Sequence, residues 1–139
     1  MKKSLYILLI SCFSLTIISC GEKEESSTNT TSSPLFVAVG DNGTIFTLSD
    51  GSTWTSRTSG TTENLYGVTY ANSTFVVMDT SGTILTSSDH GTTWTVRTSG
   101  TTNLLHRGTY GNSMCVVVGD NATGAGTILT SPDGTNRFW

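Results

Sequence analysis

Basic residues are scarce in this chain. Seven lysines and arginines stand among 139 positions, and charged residues of both signs make up only 12%. They form no stripe or cluster, which excludes the electrostatic footprint of a nucleic-acid-binding surface. Lys2 and Lys3 account for two of the seven, leaving five basic against ten acidic residues, a formal charge of −5. Cysteine is sparse as well. Of the three, Cys12 and Cys20 belong to the first apolar run and its end. Cys115 therefore stands alone in the body of the chain, and an intrachain disulfide is excluded there. Two histidines, His90 and His106, occupy non-equivalent positions and make no metal-ligand spacing. Beyond residue 20 no segment shows a helical hydrophobic period. What remains is rich in Thr, Ser and Gly with 35% hydrophobic residues. That composition fits an exported all-β protein and not a disordered one, which needs high net charge.

The N-terminus reads as a targeting segment. Lys2-Lys3 is a positive start, and Leu5 to Ile18 is an apolar run broken by Ser and Cys. Such a segment is set apart from fold material, and it is short for a transmembrane helix. Its end, Ile17-Ile18-Ser19-Cys20-Gly21, resembles the lipobox of bacterial lipoproteins. The resemblance implies a signal peptide over 1–19, lipid modification at Cys20, and a mature protein held on a membrane by several acyl chains. The alternatives are an ordinary secretory signal and an uncleaved anchor. Gly21 and Glu22 carry no evident inner-membrane retention signal, so the expected address is the bacterial cell envelope, at the outer membrane or cell surface. Residues 20–34, Cys20 and then Gly21-Glu22-Lys23-Glu24-Glu25 and a Ser/Thr/Asn run to Pro34, are too polar to pack and read as a flexible linker.

From Leu35 the chain repeats itself. Gly43-Thr44-Ile45-Phe46-Thr47-Leu48-Ser49-Asp50 returns as Gly82-Thr83-Ile84-Leu85-Thr86-Ser87-Ser88-Asp89. It returns again as Gly126-Thr127-Ile128-Leu129-Thr130-Ser131-Pro132-Asp133. A period of about forty residues marks a repeat architecture whose units bury their apolar faces against one another. Short runs rich in Val, Ile, Thr, Tyr and Trp predict strands over 35–39, 44–48, 54–58, 65–70, 74–78, 83–87, 94–98, 105–110, 114–118 and 127–131. Gly40-Asp41-Asn42-Gly43 and its counterpart Asp79-Thr80-Ser81-Gly82 predict tight hairpins. So do Ala71-Asn72-Ser73 and Gly111-Asn112-Ser113. Four antiparallel strands in about forty residues is the size of a propeller blade.

The sharpest motif is Ser87-Ser88-Asp89-His90-Gly91-Thr92-Thr93-Trp94. An Asp carboxylate there can accept bonds from nearby backbone N–H groups and close a turn. Gly91 can adopt a backbone conformation costly for other residues, and Trp94 can bury a large face as the next strand begins. Asp50-Gly51-Ser52-Thr53-Trp54 is a version one residue shorter, with Leu48 where Ser87 stands. Ser131-Pro132-Asp133-Gly134 begins a third copy that runs into Asn136-Arg137-Phe138-Trp139, where a Trp is due near position 137. These residues resemble the Asp-box (BNR-type) repeat β-propellers, and the wider unit is similar to photosystem II stability/assembly factor-like repeats. The resemblance covers residues 35–135. It implies tandem four-stranded antiparallel propeller-type blades, about two and a half of them, in a domain spanning 35–139. It implies no photosynthetic role.

Sialidases also carry Asp boxes, which raises a glycosidase reading. That chemistry uses an arginine cluster, a Tyr nucleophile with a Glu partner and an Asp acid/base. Here Arg57 and Arg97 share one repeat position and read as solvent-facing strand residues, while Arg107 and Arg137 share no register with them. Glu63, the one Glu after the linker, lies in a loop, and Asp50, Asp89 and Asp133 are committed to turns. No catalytic residue and no cofactor are assigned. Asp41-Asn42-Gly43 and Asp120-Asn121 lack the spaced acidic ligands of a calcium loop. The Asn-x-Ser/Thr triplets at Asn42, Asn72 and Asn121 are read as chance in a Thr-rich chain. Cys115 holds the repeat position of Phe75 and is expected to be a buried, inert thiol.

The expected function is that of a non-catalytic, membrane-anchored binding or assembly module. A protein or glycan ligand would sit on the loop faces Ser59–Asn64, Ser99–Leu104 and Gly119–Ala125. The extra residues around Asn121–Ala125 mark either a binding position or neutral drift. Closed propellers have four to eight blades, so the incomplete set leaves three arrangements: a truncated remnant of a longer propeller without independent function, a six-blade ring of two copies, or a short solenoid-like stack.

Overall fold

The computed structural model describes residues 5–9, 36–135 and 138. Among them there is no helix, and eleven strands form three antiparallel sheets. The first sheet is β1 (Leu5–Leu9), β2 (Phe36–Gly40), β3 (Ile45–Leu48) and β4 (Trp54–Arg57), paired in that order. The second is β5 (Leu65–Ala71), β6 (Thr74–Asp79), β7 (Ile84–Ser87) and β8 (Thr95–Arg97). The third has β9 (Leu104–Gly111), β10 (Met114–Asp120) and β11 (Gly126–Ser131). All ten strands expected from the sequence are present, with ends displaced by no more than two residues. Cys20, expected to carry lipid, lies outside the described residues, as do the expected linker and most of the expected targeting segment.

One strand was not expected. Leu5–Leu9, inside the run read as a targeting signal, pairs antiparallel with β2, Leu5 opposite Gly40 and Leu9 opposite Phe36. It takes the place in the first sheet that β5 and β9 take in theirs. The edge of β2 is a row of backbone donors and acceptors, and an extended apolar run satisfies it.

The hairpins follow from local chemistry. Asn42 and Gly43 have φ of 54° and 66°, and Thr44 N–H donates to Asp41 O at 3.2 Å. Positive φ at both central residues is the twist-matched type I′ turn. Asn72-Ser73 and Asn112-Ser113 do the same without glycine, at φ of 46° and 61° and of 48° and 57°.

Each sheet has two apolar faces, and the faces stack in one sense. Val37, Val39 and Ile45 of the first sheet pack on Leu65, Val68, Phe75, Val77 and Leu85 of the second. On its other face the second sheet presents Ala71, Val76, Met78 and Ile84 to Leu105, Cys115, Val117 and Leu129 of the third, with Phe138 in the same cluster. The second sheet is thus buried on both sides, which is why every residue of β6 and β7 is buried. Among the described residues the sheets form an open row of three and no closed ring.

Candidate functional site

The repeated Asp turns join the third and fourth strands of the first two sheets and follow β11 in the third. In the second sheet Asp89 Oδ1 accepts Thr93 N–H at 2.9 Å and Thr92 N–H at 3.1 Å. Its Oδ2 accepts the Thr93 hydroxyl at 2.5 Å. Ser87 Oγ donates to Asp89 at 2.7 Å and accepts Gly91 N–H at 2.8 Å. Trp94 Nε1–H closes onto Gly91 O at 3.1 Å. Partial burial works to raise the Asp89 pKa, but the bonds from Thr93 and Ser87 outweigh it and hold the carboxyl at about 2. Asp50 is likewise held at about 2, chiefly by the Thr53 and Ser52 backbone N–H groups at 2.7 and 2.9 Å. Asp133 accepts Thr135 N–H at 2.9 Å, and Ser131 Oγ accepts Gly134 N–H at 3.0 Å. Each of these carboxylates accepts bonds within its own turn, a structural use of charge.

The turn glycines also reach across sheets. Gly91, Gly134 and Gly51 all have φ between 72° and 77°. A Cβ on Gly91 would stand 2.8 Å from Thr47 and 3.8 Å from Val37 of the first sheet. One on Gly134 would stand 2.9 Å from Val76 of the second. Nothing lies within 4 Å of the same point on Gly51. The third copy also keeps its aromatic. Phe138 follows Asp133 by five residues, as Trp94 follows Asp89, and it is buried in the core between the second and third sheets. The repeat therefore persists past the point where the sequence reads as losing it. Arg137 and Trp139 lie outside the described residues.

Arg57 and Arg97 are not simply solvent-facing. Each is half-buried and donates from Nε to a threonine of its own sheet, Thr47 and Thr86, both at 2.9 Å. The two arginines thus serve two equivalent sheets. The loops after them are pinned by buried serines that belong to no chemical motif. Ser99 Oγ donates to Gly82 O and accepts Thr101 N–H at 3.2 Å. Ser59 Oγ donates to Thr61 O at 3.1 Å. Their only sequence signal is recurrence forty residues apart. Two equivalent shallow grooves result, of about 550 and 580 Å³, one along Ser81–Thr83 and Arg97–Thr102, the other along Gly43 and Arg57–Thr62.

Other candidates resolve into local bonds. Glu63 accepts the Thr80 hydroxyl at 3.3 Å. His106 Nε2 lies 3.2 Å from Asp120 Oδ1 on the surface. The irregular loop is closed by Asn121 Oδ1, which accepts Thr123 N–H at 3.0 Å and Ala125 N–H at 2.9 Å. Asp79, fully buried, organises its hairpin by accepting Ser81 and Thr83 N–H at 2.9 and 2.6 Å. Cys115 is buried, and burial, aided by the Asp133 charge, pushes its thiol up to about 11. Compared with known proteins, the chain finds no match: no family model, no curated protein and no solved structure is significantly similar to it.

Proposed function

We propose that this chain is a non-catalytic binding or assembly module of Asp-box, propeller-blade type, held at the bacterial envelope by lipid on Cys20. One observation carries the reading: the repeated polar residues are spent on the scaffold. Asp89, Asp50 and Asp133 close their turns, and Arg57 and Arg97 tie strands together. What the scaffold offers outward is a pair of equivalent loop grooves, the arrangement of a binding array and not of a single reaction centre. Processing at Cys20 would remove β1 and leave β2 as the outer strand of the first sheet.

The test has two parts. Metabolic labelling with a clickable palmitate analogue should mark the full chain, and Cys20→Ser should abolish both the label and membrane fractionation. Unlabelled protein in the soluble fraction would overturn the anchor. The folded chain should leave reporter sialosides intact at every pH tested, and turnover lost in Asp89→Asn would overturn the non-catalytic assignment.

A further inference from the structure

The row of sheets has a head and a tail that match. Three cross-strand pairs are repeat equivalents: Val39 opposite Ile45, Met78 opposite Ile84, and Val118 opposite Ile128. The first two pairs are fully buried, each under the next sheet in the row. Among the described residues the third has no sheet over it: Val118 is 41% and Ile128 71% exposed. Beside it lie Val116, the equivalent of Val37 and Val76, and exposed Met114. At the opposite end the first sheet presents what should lie over such a face. Phe36 and Phe46 are only half-buried, whereas their equivalents Phe75 and Leu85 are buried against the preceding sheet. Trp54 is 42% exposed, whereas Trp94 packs against the core between the first two sheets. Gly51 has open space where Gly91 and Gly134 meet Val37 and Val76.

We propose that a second copy of this chain docks head to tail, its first sheet covering the Val116, Val118 and Ile128 face, with Gly51 over Val116. The chain makes this contact twice internally, between its first and second sheets and between its second and third, so the occupant is specified by register and not by apolarity alone. An interface of this kind is heterologous. It closes as a ring of two copies if the rotation permits and extends as a series if it does not. The inference rests on the packing of the sheets and stands apart from the anchor and the groove ligand.

Sedimentation equilibrium of the full chain in density-matched detergent, from about 1 to about 100 μM, tests it. The expected result is protein mass at two copies or a series of whole multiples. Ile128→Asp should weaken association at least about tenfold by placing an unpaired charge in the junction. Gly51→Asn should do the same by filling the junction. Asparagine tolerates positive φ, and among the described residues a Cβ at position 51 would have nothing within 4 Å, so its melting curve should stay near the unmodified one. Mixing the two variants should restore a two-copy species, because one supplies an intact tail and the other an intact head. Single-copy mass throughout the range, or association that survives Gly51→Asn, would overturn the proposal.

Discussion

Gly91 is the residue at which the local turn and the stacking of sheets can be separated. Its φ is +77°, and a Cβ would stand 2.8 Å from Thr47 Cγ2 of the neighbouring sheet. Gly100, in the loop after β8, has nearly the same backbone, φ +81°, with nothing within 4 Å. Gly100→Ala therefore measures the backbone term alone: about 1–2 kcal/mol for a left-handed L-residue, less about 0.4–1 kcal/mol returned through the unfolded chain. Gly91→Ala carries the same term plus forced displacement of a packed side chain, about 1–3 kcal/mol more. Urea unfolding of both variants should place Gly100→Ala about 1 kcal/mol below the parent chain and Gly91→Ala about 2–4 kcal/mol below it, at similar m-values. If the two fall within about 0.5 kcal/mol of each other, the glycine serves only its own turn.

Three further outcomes are expected. The Asp89 carboxyl is held at about 2 against an ordinary 3.8, so its turn bonds contribute fully above that ordinary value and are lost as pH falls toward 2. Melting temperatures of the parent chain and Asp89→Asn should therefore converge between pH 5 and pH 2, and a constant gap would contradict the assignment. Ser73 and Ser113, at φ of 61° and 57°, sit where type I′ turns favour glycine. Ser73→Gly and Ser113→Gly should each raise stability by about 0.5–1 kcal/mol, and a loss in chemical denaturation would show that the hydroxyls matter more than the backbone. Cys115, its thiol pushed up to about 11 by burial, should resist iodoacetamide at pH 8 until urea unfolds the chain. Native-state labelling at the rate of a free thiol would place it at the surface.

The strands were legible because alternation and turn chemistry act over a few residues. Asn42-Gly43 and Asn72-Ser73 specify their hairpins locally, and Val, Ile and Tyr runs between such turns leave little freedom. The Asp turn was legible for the same reason, since Asp89 bonds no residue more than four positions away. Features that depend on tertiary neighbours were not. Arg97 read as solvent-facing because its bond to Thr86 crosses strands. Ser99 read as a generic loop residue because its partner, Gly82, lies in another hairpin. Asp79 looked like one more polar turn residue, though its carboxylate is fully buried. Leu5–Leu9 carries the same apolar pattern whether it serves as a targeting segment or as a partner for β2. Composition cannot choose between those uses, because the edge it pairs with is more than twenty-five residues away in sequence.

The repeat unit itself does two jobs, and its copies show which residues belong to which. Closing the turn is local, and the Asp does it in every copy. It does so even in the first, where Leu48 replaces the serine and two backbone N–H groups suffice. Receiving the preceding sheet is a tertiary job, done by the glycine and the aromatic that ends the motif. In the second and third copies Gly91 and Gly134 meet a valine, and Trp94 and Phe138 pack in a core. In the first copy the same two positions have no such neighbour among the described residues: a Cβ on Gly51 would have nothing within 4 Å, and Trp54 is 42% exposed. A turn that needed only its Asp could dispense with a large aromatic facing water, which gains nothing from exposure. The same asymmetry holds at the other end, where Val118 and Ile128 retain a pairing whose equivalents are completely buried. Both ends are thus built for a neighbour of the repeat's own kind. The polar grooves along Arg57–Thr62 and Arg97–Thr102 lie along the strands and loops between those ends, so a ligand search belongs on the grooves and an assembly search on the faces.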